Sequence, residues 1–449
     1  MTYEQRLRDY EYKKRKLIRE FSIQVKGNKR ISLGKSTSNL FRHRKNSKST
    51  LNVRNFNKVI LVDRKNKIVE AEGMTTYEEL VKQTLKYGYT PTVVPELKSI
   101  TLGGAVTGVG IESSSFKYGL VHETVTEIEV LLGNGSTVLC TPTNEHKDLF
   151  FGFPNSYGTL GYALKLKVKI ISVKKYVKLT HLKFDNVKKY VKKLQEVCQK
   201  KELFDFIDGT IFSKHELYIT LGQYTDKALK VSNYKYMNIY YLSIKEKHTD
   251  YLTISDYIWR WDADWFWCSK HFGAQNKVLR LLLGKWMLTS KVYWKIRAWN
   301  NRYRLAEKLR GVQNVESVIQ DVEIPIEHSE EFITFFHKEI GITPIWVCPV
   351  QNYNKKVEFE LYKMDSSKLY LNFGFWEVIK TTHEDGYYNK RIETKVKELK
   401  GKKSLYSTSF YTKKEFWSLY NQKKYDLLKT KYDRNHVFRD LYEKCVTRK

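Results

Sequence analysis

The sequence is poor in the residues that build metal centres and disulfide frameworks. It has five cysteines in 449 residues, and no two of them form a CxxC pair. This dispersion argues against a zinc ribbon, an iron–sulfur centre and a disulfide scaffold. An odd number of cysteines in a long chain fits a reducing compartment. We therefore expect no metal site.

Long apolar runs are also missing. No segment reaches the roughly 20 consecutive apolar residues that a membrane-spanning helix needs. Residues 1–21 are too charged to contain the apolar core of a signal peptide. The sequence thus predicts a cytoplasmic protein without a transmembrane helix or signal peptide, in peripheral contact with a membrane.

Acidic residues are scarce relative to basic ones. Asp and Glu number 49 against 80 Lys and Arg, which gives a formal net charge of +31. Such an excess indicates an anionic partner: nucleic acid, lipid headgroups or a phosphorylated cofactor. The length is sufficient for two or three domains, and the 41% hydrophobic fraction is sufficient for folded cores.

The beginning of the chain shows clear element signals. Residues 1–20 are predicted to form a charged helix, whose basic run 13–16 is either a solvated face or a phosphate or headgroup contact. Two short strands are predicted over 59–62 and 67–72. Thr75 or Thr76 follows them with a Glu three residues on, the capping-box spacing that begins a helix.

Glycine is concentrated in one part of the chain. Ten of the 23 glycines lie between Thr101 and Gly161. Two of them fit the turn of a hairpin predicted over 124–140, and a further alternating strand is predicted over 162–170. The remaining glycines flank this hairpin, where exposed backbone amides can form a concavity that binds phosphate. The pattern is no Rossmann fingerprint, because Ser113 stands where the last glycine would be needed.

Residues Thr101–Leu120, TLGGAVTGVGIESSSFKYGL, resemble the flavin-binding segment of vanillyl-alcohol-oxidase type FAD domains. More narrowly, they resemble the delta-24 sterol reductase (Diminuto/seladin) family, including its bacterial fatty-acyl reductase-like relatives. Further segments match this family in the same order: 153–161, 174–179, 320–325, 344–349 and 415–417.

The resemblance implies an α+β fold. A two-lobed vanillyl-alcohol-oxidase/PCMH-type FAD-binding domain would be followed by an α+β substrate (cap) domain. We place the basic helical extension at 1–20, the FAD-binding domain at 21–175 and the substrate domain at 176–449.

The resemblance also implies FAD as the cofactor. The loop at Leu33–Leu40 occupies the position of the first cofactor loop of the family. No Gly-Gly-His tripeptide is present for covalent attachment, so we expect non-covalent FAD. The predicted FAD-binding residues are Thr101, Gly103, Gly104, Gly108, Gly110, Ile111, Glu112, Ser113, Ser114, Gly158, Thr159 and Gly161.

By this resemblance the protein is a flavoprotein oxidoreductase of lipid metabolism that acts on CH–CH groups, with NADPH as reductant. It would reduce a C=C bond of a lipid by hydride transfer from reduced flavin, while an acid of the protein supplies the proton. Glu112 is the predicted acid, because a desolvated carboxyl can hold a proton. It could equally be a loop cap, and Asp321 and Asn372 are alternatives.

The substrate would be a sterol or a methylene-branched fatty acyl chain. An oxidase or dehydrogenase acting on an alcohol stays open as another flavin-dependent alternative. A non-catalytic nucleic-acid-binding protein would explain the charge, but the glycine motif argues against it.

Residues 255–300 are both aromatic and basic, and seven of the ten tryptophans lie between Trp259 and Trp299. Such a region is an aromatic core, an amphipathic patch at a lipid interface or a base-stacking surface. We expect core packing together with peripheral contact to an anionic membrane surface.

Overall fold

The computed structural model describes residues 2–26, 30–35, 40–42, 49–303 and 315–447. Two large sheets organise them, one for each predicted domain. A small parallel pair, β1 (Ile31–Gly34) with β2 (Ser49–Asn52), lies beside the first of these sheets.

The first domain is built on a six-stranded antiparallel sheet. The predicted strands and the predicted hairpin are confirmed within it. Its order is β3-β4-β8-β6-β7, with β5 paired to β8. The strands are β3 (Val59–Asp63), β4 (Ile68–Glu72), β5 (Tyr89–Pro91), β6 (Val125–Leu131), β7 (Thr137–Cys140) and β8 (Tyr162–Ser172).

Strand β8 shows why these residues form a half-buried sheet. Its side chains alternate between the core and a polar face, as the period of two in a strand requires. On the polar face, Lys165 Nζ lies 2.6 Å from Glu70 Oε1 and Lys167 Nζ lies 3.1 Å from Glu127 Oε1. Cross-strand ion pairs therefore balance part of the basic excess.

Short helices connect the strands of the first domain. The helix predicted near Thr76 is confirmed, and the Thr76 side chain accepts a hydrogen bond from the backbone of Glu79. The helices are α2 (Tyr77–Leu85), α3 (Leu102–Thr107), α4 (Ser115–Tyr118) and α5 (Lys147–Gly152).

The N-terminal helix α1 (Tyr3–Val25) is longer than predicted and belongs to the first domain. Its buried Tyr10, Leu17 and Phe21 join a core cluster with the sheet. Two lysines of the basic run form ion pairs, Lys13 with Glu72 and Lys14 with Glu129. These two lysines therefore neither form a free solvated face nor contact a phosphate.

The second domain is built on an eight-stranded antiparallel sheet with the order β12-β9-β11-β10-β14-β15-β13-β16. Its strands are β9 (Tyr176–Phe184), β10 (Phe206–Ser213), β11 (Glu216–Thr225), β12 (Thr249–Thr253), β13 (Val315–Pro325), β14 (Ile345–Val350), β15 (Tyr370–Lys380) and β16 (Lys402–Lys403). One face packs against helices that include α6 (Val187–Gln199), Ser329–Phe335 and Tyr387–Glu398. The other face turns toward the first domain.

The aromatic and basic region forms three helices and the loops between them: α8 (Ile254–Ile258), α9 (Lys277–Met287) and α10 (Ser290–Tyr303), preceded by α7 (Tyr240–Glu246). Trp261, Trp265 and Trp267 are buried, which confirms core packing for this part. Trp286 is 82% exposed. Within the described ranges, no helix is long and apolar enough to span a bilayer.

The end of the chain returns to the first domain. The helices Lys413–Leu419, Gln422–Tyr432 and Leu441–Cys445 follow β16. Lys429 Nζ donates a hydrogen bond of 2.8 Å to the Thr159 carbonyl, and the Phe438 ring lies 4.6 Å from that of Tyr162. The last part of the predicted 176–449 domain thus packs on the first domain.

Candidate active site

A cavity of about 300 Å³ lies between the two domains. The first domain contributes the glycine-rich loop around α3 and the segment before β8. The second domain contributes the face of β13, β14 and β15 that turns toward the first domain, together with the aromatic loop after α8. The C-terminal segment borders it with Arg439, Glu443 and Lys444.

The glycine-rich loop is shaped by close backbone packing. Gly103 donates a backbone hydrogen bond of 2.8 Å to the Gly73 carbonyl, and a Cβ at position 103 would lie 2.9 Å from that oxygen. A Cβ at Gly108 would lie 2.8 Å from the Gly104 carbonyl. Thr101 caps α3 by accepting a hydrogen bond of 3.3 Å from the Gly104 amide. Larger residues would therefore displace the loop from the cavity wall.

Most of the predicted FAD-binding residues border this cavity. They are Thr101, Gly103, Gly104, Gly108, Gly110, Ile111, Gly158 and Gly161. Glu112 and Ser114 instead line a smaller cavity beside Tyr257. The Ser113 hydroxyl is 2.8 Å from Tyr257 Oη, and the Thr159 hydroxyl donates to the Ser156 carbonyl.

Glu112 belongs to a buried charge cluster that joins the two domains. The cluster centres on Arg260, whose side chain is fully buried. Its Nη2 atom is 2.9 Å from Asp208 Oδ2, 3.3 Å from Glu112 Oε1 and 3.6 Å from Glu96 Oε1. Burial and the neighbouring Glu112 raise the pKa of Glu96, which also borders the large cavity. A proton on Glu96 reduces the excess of negative charge around one guanidinium.

Two further carboxyl groups reach the large cavity from β13. Even-numbered residues of this strand, such as Val322, pack under the helices, so Asp321 and Glu323 face the cavity. Burial raises the pKa of Asp321 to about 6, although Asn372 Nδ2 donates to Asp321 Oδ1 at 2.9 Å. Burial raises the pKa of Glu323 to about 8, and the Tyr362 hydroxyl donates to it. At neutral pH, Glu323 is thus mainly protonated.

Aromatic side chains form the apolar walls of the cavity. Phe266 stacks on Trp376 with a ring-centroid distance of 4.2 Å, and Trp346 lies 5.6 Å from Phe266. Phe41 stacks on Trp265 from the other side at 5.5 Å. Flat aromatic faces of this kind suit a large, mostly apolar ligand.

Part of the cavity lining is cationic and fits the diphosphate of FAD. The Arg42 guanidinium borders the cavity and is buried, and its Nη1 atom donates to the Lys444 carbonyl. Its Nε and Nη2 atoms have no hydrogen-bond partner among the described residues. Two buried donors without an acceptor are expected where an anionic group binds. Arg439 adds positive charge to the same lining, and Arg30 lies there paired with Glu443, with 2.6 Å between Arg30 Nη1 and Glu443 Oε2.

The first cofactor loop, predicted at Leu33–Leu40, is partly described. Leu33, Lys35 and Leu40 border the cavity. Positions 36–39 of this prediction lie outside the described residues.

Sequence reasoning missed several residues that border the cavity. Arg42, Glu96, Glu323 and Tyr406 were not predicted as site residues, although Asp321 was considered. Two acidic residues at alternate positions in the second half of β13, beside the apolar Val322 and Ile324, were a usable signal for Glu323. The sequence carried no comparable signal for Arg42, because it reaches the site from a separate segment.

Comparisons with known proteins agree with this geometry. A family model described as an FAD binding domain matches residues 25–141. The chain is 30% identical to the Delta(24)-sterol reductase of Homo sapiens, covering 86% of this chain and 75% of that protein. It is 30% identical to the Delta(24)-sterol reductase homolog of Caenorhabditis elegans, covering 84% and 75%, and 25% identical to the Delta(24)-sterol reductase of Arabidopsis thaliana, covering 87% and 75%.

The fold, the cavity and these matches define an FAD-dependent oxidoreductase with a PCMH-type FAD-binding domain. The predicted fold class and the predicted FAD cofactor are thereby confirmed. The relatives that match most of the chain narrow the class further. The chain belongs to the Delta(24)-sterol reductase family.

Proposed function

We propose that this protein reduces an isolated C=C bond in the side chain of a sterol, with NADPH as the source of electrons. One observation carries the proposal. A single cavity combines a cationic end that suits FAD, apolar aromatic walls that suit a sterol, and a buried carboxyl that holds a proton near neutral pH. The sterol substrate is inferred from the relatives that match most of the chain, which are Delta(24)-sterol reductases.

Different residues of the cavity are proposed to bind the diphosphate and the flavin of FAD. Arg42, with Arg30 and Arg439 nearby, would hold the diphosphate of FAD, and the backbone around Gly104 and Gly108 would border its flavin. When bound and reduced, FAD supplies the hydride for one carbon of the double bond. Binding is proposed to be non-covalent, so acid precipitation should release the flavin into the supernatant.

Glu323 is the proposed proton donor to the other alkene carbon. Its carboxyl borders the cavity, is buried, and has its pKa raised to about 8 by that burial. After it gives up the proton, the Tyr362 hydroxyl hydrogen bond stabilises the carboxylate. Solvent returns a proton to Glu323 before the next turnover, so one hydride and one proton add to each double bond.

The aromatic walls would assist the same step. An isolated alkene has no polarising group, so positive charge develops on the more substituted carbon as the proton is transferred. Trp346, Trp376 and Phe266 border the same cavity as Glu323 and form one aromatic cluster there. Such faces stabilise a nearby cation by electrostatic attraction.

That Glu112 is the proton donor stays a prediction. Its carboxylate oxygen Oε1 accepts a hydrogen bond of 2.5 Å from the Ser113 hydroxyl and lies 3.3 Å from Arg260 Nη2, so it is already engaged inside the buried charge cluster. At Glu323 the effect of burial outweighs that of the nearby Lys402 and raises the pKa of the carboxyl to about 8, so the protonated form is favoured at neutral pH. The two assignments are separable because each can be tested with an isosteric Gln variant.

The test uses the purified full chain loaded with FAD. NADPH is added without oxygen, and the flavin absorbance is followed before a sterol with a side-chain double bond is supplied in cyclodextrin. We expect bleaching by NADPH, reoxidation by the unsaturated sterol and a product two mass units heavier by mass spectrometry. The saturated sterol is the matched control. Flavin that is bleached but never reoxidised by the unsaturated sterol would refute the substrate assignment.

The fatty acyl and alcohol-oxidising alternatives receive less support from the comparisons. The relatives that cover most of the chain are Delta(24)-sterol reductases. A cytokinin dehydrogenase of Arabidopsis thaliana is 23% identical over only 32% of this chain. We further propose a cytoplasmic protein that touches an anionic membrane surface peripherally, since a sterol resides in lipid.

A further inference from the structure

Helix α9 (Lys277–Met287) carries its apolar and polar residues in the reverse of the usual arrangement. Arg280 is fully buried, while the exposed fractions of Leu281, Leu282 and Trp286 are 65%, 78% and 82%. Val278 is exposed on the same side. A surface helix normally buries its apolar stripe and exposes its charges. In α9, Leu281 and Leu282 instead face outward, as does Trp286 beyond the kink of the helix at Gly284.

The buried side of α9 is held firmly to the rest of the domain. Arg280 Nη1 lies 2.6 Å from Asp264 Oδ1, and Arg280 Nε donates a hydrogen bond of 2.7 Å to the Tyr236 carbonyl. The Tyr236 hydroxyl in turn donates to the Leu281 carbonyl at 3.2 Å. The exposure of the leucines therefore follows from a specific buried anchor.

The anchor also connects α9 to the cavity. Asp264 immediately precedes Trp265 and Phe266, which border the cavity wall. The exposed apolar face of α9 is thus connected through Arg280 and Asp264 to the aromatic residues that border the cavity. A lipid surface against this face would be close to the place where an apolar substrate is used.

The charge around the exposed face selects the kind of partner. Between Asp264 and Glu307 the sequence has no acidic residue and nine Lys or Arg residues, of which Arg280, Lys270 and Lys291 are paired with acidic residues from outside this stretch or at its start. Lys277 and Lys285 are exposed on α9 itself, and Lys285 Nζ lies 5.5 Å from the Trp286 ring centroid. Apolar side chains interleaved with lysines match a bilayer with anionic headgroups. A second copy of this chain would bring two cationic faces together.

We propose that α9 docks onto the surface of an anionic phospholipid bilayer, with Leu281, Leu282 and Trp286 inserted at headgroup depth and the lysines against the phosphates. The choice of a lipid partner rests on the proposed function, which it deepens. Docking there would hold the aromatic end of the cavity beside the bilayer that contains the substrate.

The test is co-sedimentation of the full FAD-loaded chain with vesicles of phosphatidylcholine, with or without phosphatidylserine. We expect binding only to the vesicles that contain phosphatidylserine, and weaker binding at high salt. The double variant L281S/L282S should lower the partition coefficient about tenfold or more, because two buried leucines are lost. Lys285→Gln should lower it roughly fivefold. Leu229→Ser is the matched control, since Leu229 is 94% exposed elsewhere on the chain.

A second readout reports the depth of Trp286. Vesicles with brominated acyl chains should quench part of the tryptophan fluorescence, and Trp286→Phe should abolish that quenching. Equal binding by wild type and L281S/L282S would overturn the proposal. The proposal would also be overturned if the wild-type protein formed a concentration-dependent dimer and L281S/L282S remained monomeric. The face would then be a contact between two copies of the chain.

The design separates this proposal from the proposed function. Sterol delivered in cyclodextrin bypasses the bilayer, so L281S/L282S should keep the wild-type rate in that assay and lose rate only with sterol in vesicles. Vesicle binding that depends on Leu281 and Leu282 without any sterol reduction would refute the proposed function and leave the docking face standing. Sterol reduction without vesicle binding would refute the docking face alone.

Discussion

Removing the proton of Glu323 is the perturbation that tests the chemistry most directly. The variant Glu323→Gln keeps the size of the side chain and its contact with Tyr362, but it has no acidic proton. Loss of a general acid costs about 100- to 10,000-fold in rate. We expect a loss in that range for the single turnover in which pre-reduced enzyme is mixed with unsaturated sterol.

The pH dependence of the wild-type enzyme tests the same assignment without a substitution. With a pKa of about 8, Glu323 is about 90% protonated at pH 7 and about 10% protonated at pH 9. Because the protonated form is the active one, the single-turnover rate should fall roughly ninefold between these values. If Asp321 were the acid, its pKa of about 6 would make the rate fall from pH 6 upward.

Stopped-flow absorbance of the flavin between pH 5.5 and 9.5 measures both effects. The rate of flavin reduction by NADPH should be unchanged in Glu323→Gln, which distinguishes a lost proton donor from a damaged fold. Glu358→Gln, which alters an exposed carboxyl, is the control. A Glu323→Gln enzyme that retains the wild-type rate and pH profile would refute the assignment, and a large loss in Glu112→Gln alone would restore Glu112.

Three further perturbations follow from the buried charges. Arg42→Ala removes the buried donors at the cationic end, so FAD affinity should fall about ten- to a hundredfold in a fluorescence titration of the apoprotein, while the unfolding midpoint of the apoprotein stays constant. Arg260→Met leaves Asp208 and its neighbours without a cation, and denaturant unfolding should show a loss of about 3–5 kcal/mol; unchanged stability would contradict the cluster's role. Burial lowers the pKa of His122 to about 3 and of His181 to about 4. The unfolded chain therefore binds more protons than the folded chain below pH 6.5. As the pH falls from 6.5 to 4, the free energy of unfolding should decrease by about 1.4 kcal/mol per pH unit for each histidine. His122→Gln should reduce that slope.

The local elements of the first domain could be predicted from the sequence. Strands β3 and β4 follow from two short strand patterns on either side of a polar turn, strand β8 and the hairpin of β6 and β7 from alternation, and the start of α2 from a capping threonine. Such signals depend on neighbours along the chain. The strands predicted from alternation form in the structure because tertiary packing buries the side of each strand on which the apolar residues lie.

Other features needed contacts between distant residues. The basic run of α1 gave no sign that Lys13 and Lys14 would meet Glu72 and Glu129, because an ion pair across more than fifty residues has no spacing rule. Residues 255–300 are aromatic and basic throughout, so their composition did not indicate which tryptophans are buried. The fold buries Trp261 and Trp267 and exposes Trp286.

The sequence by itself determined that this chain carries an FAD-binding domain and which loop borders the cofactor site, because backbone approach to a ligand demands glycine at fixed positions. Only the tertiary structure decided the chemistry within the cavity. It paired Glu112 with a buried arginine and placed Glu323 at the cavity, where burial raises the pKa of that carboxyl to about 8. A proton's affinity for a carboxyl depends on burial and on charges brought from elsewhere in the chain, and neither is written in the local sequence.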